Sequence, residues 1–206
     1  MSKKVLITGA TGDTGRAAVK ESLALGLQVR ALVRKVDERS NALAAAGAEI
    51  VIGDLLDLNS LSAAMQGVDA AYFVYPVAPG LIAATVNFVQ AAKENGVKAV
   101  LNLSQRSANR NSTSDSCRDT FLNEEVFNWS GLPVIHLRPT YFLEWLMYPW
   151  QLPYLQQGIL RMPVGKGRHS PIAAADQGRA IAAILKSPEA YIGKTINLSG
   201  PVEMDH

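Results

Sequence analysis

Val5-Leu6-Ile7-Thr8-Gly9-Ala10-Thr11-Gly12-Asp13-Thr14-Gly15 carries an apolar, β-branched run into a glycine-punctuated turn and then into a helical pattern. In that context each glycine answers a separate steric demand. Gly9 permits the tight turn out of the strand, Gly12 lets a pyrophosphate approach the backbone, and Gly15 lets the helix lie close on the strand. Free N–H groups and the positive dipole end at the helix start favour an anion there. Thr11, Asp13 and Thr14 complete the turn and are counted with the glycines as ligands. The stretch is read as a phosphate cradle for a dinucleotide, with an ordinary glycine-rich βα turn as the alternative.

Outward from this turn, short β-branched runs alternate with Ala- and Leu-rich segments of helical period, the βαβ rhythm of a parallel sheet. The pattern predicts strands at Lys4–Thr8, Gln28–Val33, Glu49–Ile52, Ala70–Val74, Ala99–Leu103, Val134–Leu137 and Thr195–Leu198. Helices are predicted near Thr14–Leu25, Glu38–Ala46, Ser60–Met65, Gly80–Asn95, Asp119–Ser130 and Gln177–Lys186. Gly26, Gly47, Gly67, Gly96 and Gly131 each follow a helical pattern, as C-terminal caps do. The fold class expected is α/β, a Rossmann-type, doubly wound, mainly parallel sheet with helices on both faces. At 206 residues one domain, 1–206, is expected. Residues 141–169, rich in aromatics, Met and Pro, break the βα rhythm and form a small insertion on the substrate side, with Tyr141, Phe142 and Trp145 as candidate lining.

Past the second strand, where an NAD site places an acidic residue for the ribose hydroxyl, this chain has Val33-Arg34-Lys35. Two cations suit a 2′-phosphate, so NADP(H) is expected in preference to NAD(H); a solvated loop pair is the alternative. Asp54 and Leu55 follow the third strand within reach of an adenine, although Asp54 serves equally well as the cap of the next turn. Val74 ends the fourth strand and Ser104 the fifth, on the edge where ligand crevices open in such sheets. Ser104 is the candidate nearest a nicotinamide and the weak catalytic candidate; a strand-terminal turn is its plainer role. Ser107–Ser116 is polar and unpatterned, hence a surface loop.

Composition narrows the rest. Hydrophobic residues make up 48% and charged residues 18%, with a net charge of only +2 and scattered cations. This lacks the basic stripe that nucleic acid requires. Cys117 is the one cysteine, so an internal disulfide is excluded and a reducing, cytoplasmic setting is expected. No apolar run reaches the ~18 to 20 residues of a membrane span. His136 reads as a core or interface histidine, Arg168 and His169 as a solvated turn and Cys117 as inert. Metal-ligand spacing is not present.

The chain resembles the NmrA-like group of atypical short-chain dehydrogenase/reductases. The marks are the Gly9–Gly15 turn, Leu32-Val33-Arg34, Gly53-Asp54, Gly67-Val68-Asp69-Ala70, Ser130-Gly131-Leu132-Pro133, Leu137-Arg138-Pro139-Thr140-Tyr141-Phe142 and Tyr191-Ile192-Gly193-Lys194. The resemblance implies an NADP-preferring fold whose members divide into small-molecule reductases, of quinones for instance, and cofactor-occupancy sensors that bind a regulatory protein. It also implies that a helix begins at Asp176, read as its cap, and that further helices cover the substrate cleft beyond Leu198-Ser199-Gly200, so a reduced C-terminal substrate region is expected here. Related dehydrogenases use a Tyr-x-x-x-Lys pair as general acid and its tuner; alignment on Glu124 and Ser130–Pro133 places Ser116 and Thr120 at those positions. A reductase of an electron-poor, quinone-like acceptor therefore stands beside a non-catalytic redox sensor, with an isomerase or lyase third. The sequence is compatible with a homodimer without fixing the oligomeric state.

Overall fold

Strand β1 (Lys4–Ile7) shows why the sheet is covered on both faces: Val5 and Ile7 enter one apolar cluster and Leu6 the other, following the two-residue period of a strand. A computed structural model describes residues 2–161 and 167–205. In chain order the remaining strands are β2 (Gln28–Val33), β3 (Glu49–Ile52), β4 (Ala70–Phe73), β5 (Ala99–Leu103), β6 (Val134–Pro139) and β7 (Thr195–Leu198). They pair in the order β3-β2-β1-β4-β5-β6-β7, and every pairing is parallel. The order reverses between β1 and β4, the switch point at whose C-terminal edge such sheets bind their ligands.

The helices are α1 (Asp13–Ala24), α2 (Glu38–Ala45), α3 (Leu58–Met65), α4 (Leu81–Glu94), α5 (Asp115–Trp129), the short α6 (Leu152–Leu155) and α7 (Ala174–Lys186). Side chains of α1, α2 and α7 share a cluster with Val5, Ile7 and Tyr72. Those of α3, α4 and α5 cover the opposite face, where Phe73, Phe88 and Phe127 meet edge to face at 4.9 to 6.0 Å between centroids. Burial of each such ring stabilises by about 2 to 3 kcal/mol. α1 and α7 lie unusually close, because a Cβ on Gly178 would sit 2.5 Å from the Cβ of Ala17. Arg30, almost buried in β2, donates to the Ala64 and Gln66 carbonyls at 2.7 and 2.9 Å and pairs with Glu49, closing the C-terminus of α3.

All seven predicted strands are present, and the five predicted C-terminal glycines adopt left-handed conformations. Helix starts needed correction. α5 begins at Asp115 rather than Asp119, so Asp115 and Ser116 leave the predicted polar loop. α3 begins at Leu58, two residues before Ser60, because the Asp57 side chain caps it. α7 begins at Ala174, which places Asp176 inside its first turn, paired with Arg179, and not at the cap. A 3-10 turn at Leu143–Met147 and α6 fall inside the predicted 141–169 insertion; residues 162–166 of that insertion lie outside the described residues. Among the described residues no helix is long and apolar enough to cross a membrane.

Candidate functional site

The turn between β1 and α1 divides its glycines by function. Gly9 has φ +56°, and its N-terminal neighbour Thr8 braces β4 by accepting from the Val74 N–H at 3.0 Å. A Cβ on Gly9 would lie 2.6 Å from Val74 Cγ1, and one on Gly15 only 2.1 Å from the Gly9 carbonyl oxygen. Both positions are closed by the protein itself. A Cβ on Gly12 would meet only the Gly9 oxygen, at 3.3 Å, so a longer side chain there would extend into the exposed space above the turn. Gly12 is also the N-cap of α1 and supplies no side chain to its N–H groups, which leaves the helix start open to an anion. Thr14 is buried, its hydroxyl accepting from Tyr72 at 3.4 Å; Thr11 is half-buried. The Asp13 carboxylate accepts from the Tyr148 hydroxyl at 2.6 Å and faces Arg16 at 3.5 Å, so only its backbone remains for a ligand.

Arg34 and Lys35 follow β2 on the same edge, exposed and without an ion pair among the described residues. The neighbouring Arg39 contrasts with them, since Asp37 holds it at 2.7 Å while capping α2. Asp54 adopts the capping role: its Oδ1 accepts from the Leu56 N–H at 2.9 Å, and its own N–H donates to Ser60 Oγ at 3.0 Å. Leu55 is half-buried, its carbonyl accepting from Asn87 at 3.2 Å.

The edge beyond β5 and β6 is wired internally. Gln105 Nε2 donates to the Ser116 carbonyl at 2.9 Å and to Thr120 Oγ1 at 2.8 Å, with a longer contact of 3.3 Å to Ser116 Oγ. The two residues aligned with the dehydrogenase pair are thus bound to a glutamine that the sequence reading did not single out. Arg138 grips the buried Glu124 through two bonds of 2.8 and 2.5 Å. Burial pushes the Glu124 carboxyl up, but the Arg138 guanidinium, helped by the neighbouring Ser104 hydroxyl, holds it below the ordinary range. Ser104 Oγ is nevertheless buried outside hydrogen-bond geometry to any partner among the described residues. His136 is a satisfied core residue, its Nδ1 at 3.0 Å from Asn102 Nδ2 and its Nε2 at 3.0 Å from Asn128 Oδ1. An amide nitrogen can only donate, so Nδ1 accepts and Nε2 carries the proton. Burial holds its pKa below the ordinary value. Cys117 is half-buried among the hydroxyls of Ser107, Ser114 and Ser112; burial pushes the thiol up, yet these hydroxyls bring it below the ordinary value, a surrounding the inert reading did not anticipate.

Tyr141, Phe142 and Trp145 do come together: Trp145 stacks on Tyr141 at 6.4 Å and lies 5.5 Å from Phe142. His169 packs its edge on Tyr141 at 5.8 Å, and its backbone pairs with Met204 at 2.8 and 2.7 Å. That corrects the solvated-turn reading for His169, over which the C-terminal residues fold back, while Arg168 stays exposed and pairs with Glu203 and Asp205. Glu144 Oε1 accepts from the Ala174 N–H at 2.9 Å, capping α7 from a distant segment. Glu144 and Tyr148 were also missed, for nothing local in the sequence marks them. Among the described residues no group of three or more His, Cys, Asp or Glu is placed to hold a metal ion.

A wholly parallel sheet with an uncapped, glycine-built helix start at its switch point defines a Rossmann-type α/β protein. Residues 1–202 match the model of the NmrA-like family, and the chain belongs to it. It is 29% identical over 185 residues to an NAD(P)H azoreductase of Xenophilus azovorans, an alignment covering 89% of this chain and 64% of that protein. The chain thus spans somewhat less than two thirds of that relative's length. An NADPH-dependent quinone oxidoreductase of Escherichia coli, solved with NADPH, is similar at 27% identity and TM-score 0.84 over 98% of this chain and 71% of that one. The triphenylmethane reductase of Citrobacter sp., complexed with NADP(H), shares the fold at TM-score 0.84 and 23% identity over 98% of this chain and 72% of that one.

Proposed function

We propose that the chain binds NADP(H), in preference to NAD(H), and reduces a small, planar, electron-poor acceptor of quinone type by direct hydride transfer. The observation that carries this reading is the pairing of an open, side-chain-free helix start at Gly12 with Arg34 and Lys35, cations without an ion pair among the described residues, on the same sheet edge. Gly9, Gly12, Gly15 and the backbones of Thr11, Asp13 and Thr14 would hold the pyrophosphate, and Arg34 with Lys35 the 2′-phosphate. Val74 and Leu55 would flank the adenosine, with Asp54 reaching the adenine through its free oxygen. Ser104 would lie toward the nicotinamide, and Tyr141, Phe142 and Trp145 on the acceptor side, in the 141–169 insertion of a single domain. When bound, the reduced nicotinamide supplies the hydride. The residues around it position the acceptor, and solvent supplies the proton, because Ser116 and Thr120 cannot act as an acid near neutral pH. The names of the azoreductase and the quinone oxidoreductase support an NAD(P)H-dependent reduction.

The internal engagement of Gln105, Ser116, Thr120, Glu124 and Arg138 favours one second reading, a non-catalytic NADP sensor whose partner is a regulatory protein. Mixing NADPH with a panel of quinones and following its absorbance separates the two. Catalytic turnover supports the reductase; tight NADPH binding with no oxidation by any acceptor supports the sensor.

A further inference from the structure

Tyr148 and Asp13 are 135 positions apart in the chain, yet the phenol donates to Asp13 Oδ2 at 2.6 Å. Asp13 opens α1, so its backbone belongs to the cradle for the pyrophosphate while its carboxylate carries a charge of the wrong sign for that ligand. The carboxylate is engaged by Tyr148 and Arg16, and Asp13 borders a cavity of about 300 Å³ between α1 and α7, together with Arg16, Lys20, Glu144 and Ala174. Neither Gly9, Gly12, Val74 nor Arg34 borders that cavity. The turn that delivers Tyr148 is fixed at its other end by Glu144 on the start of α7, so one short segment bridges the starts of both helices. The bond to Asp13, then burial, push the Tyr148 hydroxyl up to about 12, and it stays a donor across the physiological range.

We infer that Tyr148 is a positioning residue of the phosphate cradle: it holds the Asp13 carboxylate on the α7 side, out of the pyrophosphate's place, and so ties the aromatic segment to occupancy of the cradle. This rests on the dinucleotide reading above. A carboxylate released to about 6 Å from a phosphate costs roughly tenfold in affinity at an effective dielectric of about 40.

Calorimetry with NADPH on four proteins tests it: the parent, Tyr148→Phe, Asp13→Asn and the double variant, with circular dichroism to establish that each is folded. Tyr148→Phe is expected to weaken binding by about 5- to 10-fold. In the Asp13→Asn background, adding Tyr148→Phe should change affinity by no more than about twofold, because the harmful charge is gone. In the parent, NADPH should change the fluorescence of Trp145 and Trp150, which flank Tyr148 in the sequence, and should change it less in Tyr148→Phe. Unchanged affinity in Tyr148→Phe, or the same loss from Tyr148→Phe with and without Asp13→Asn, overturns the inference while leaving the dinucleotide reading intact. A parent that binds no NADPH overturns both.

Discussion

The two halves of the sheet's C-terminal edge are built on opposite plans. Beside β1 and β2 the helix start has no side-chain cap, and Arg34 and Lys35 have no ionic partner among the described residues. Beside β5 and β6 the polar side chains answer one another: Gln105 to Ser116 and Thr120, Glu124 to Arg138, and His136 to Asn102 and Asn128. A half whose polar groups lack protein partners is suited to a charged ligand from outside. A half whose polar side chains are largely engaged with one another, Ser104 Oγ and Asn102 Oδ1 excepted, gains rigidity and keeps little freedom to donate or accept protons in a reaction. On this comparison the β1–β2 half suits the dinucleotide proposed above, and the β5–β6 half offers little acid-base chemistry beside it.

The largest expected effect lies in the binding half and concerns the fold. Gly15→Val would drive a Cβ to 2.1 Å from the Gly9 oxygen and 2.9 Å from the Ala10 Cα, both backbone atoms that cannot step aside. A cost of about 5 kcal/mol or more is expected, seen as insolubility or a thermal midpoint lowered by more than about 10 °C. Gly12→Val should keep nearly the parent's midpoint and lose dinucleotide binding in calorimetry. Equal destabilisation by both would erase the division between structural and ligand-facing glycines.

Next comes the wired half. Arg138→Met would leave the Glu124 carboxylate, 4% exposed, without its cation. Breaking such a pair costs about 3 to 5 kcal/mol at neutral pH, measured by urea unfolding. The pH dependence gives the sign. In the parent Glu124 titrates below its ordinary value, so its contribution is complete above about pH 4.5 and is lost as pH falls through the folded pKa. Without Arg138, burial alone would raise that pKa, and the penalty would then exist only while the carboxyl is charged. The gap between parent and variant should therefore narrow on going from about pH 7 to about pH 4.5. A gap that widens on acidification would place the damage elsewhere.

A smaller effect is expected at the open cations. Arg34→Ala should weaken NADP(H) by about 10- to 150-fold, from the roughly 1.5 to 3 kcal/mol of a charged hydrogen bond. NAD(H), without the 2′-phosphate, should change little. Calorimetry with both cofactors decides it: equal weakening of the two would mean that Arg34 serves the backbone or adenine, and equal affinity in the parent would end the NADP preference.

What could be read from the sequence follows the same division. β1, β2, β4, β5 and β6 were legible because strands largely buried on both faces read as apolar runs, the edge strands β3 and β7 because their short β-branched runs keep the βα rhythm, and the helices because Gly26, Gly47, Gly67, Gly96 and Gly131 punctuate them. The glycine turn was legible because its steric demands are local. The start of α5 was not, since Asp115 and Ser116 belong compositionally to the serine-rich loop before them. The roles of Tyr148, Glu144 and Gln105 were hidden for another reason: their partners lie 135, 30 and up to 15 residues away, beyond the reach of any periodicity. Asp54 was legible as a choice between two roles, of which the structure displays the local cap and leaves the adenine contact as part of the proposal.

The smallest effect should come from the positions aligned with the dehydrogenase pair. Ser116→Ala removes only the 3.3 Å contact to Gln105, whose bonds to the Ser116 carbonyl and Thr120 remain. Thr120→Ala removes a donor to the Ser116 carbonyl and one acceptor for Gln105, but Gln105 keeps the carbonyl at 2.9 Å. Neither hydroxyl ionises near neutral pH, so neither can protonate an acceptor as a tuned tyrosine would. Any NADPH-dependent reduction should accordingly stay within a few-fold of the parent in both variants, measured as kcat with the best quinone of the panel. General acid-base catalysis is worth about 10²-fold or more. A loss on that scale in either variant would mean that the wired half does move a proton, and the contrast between the two halves would have to be redrawn.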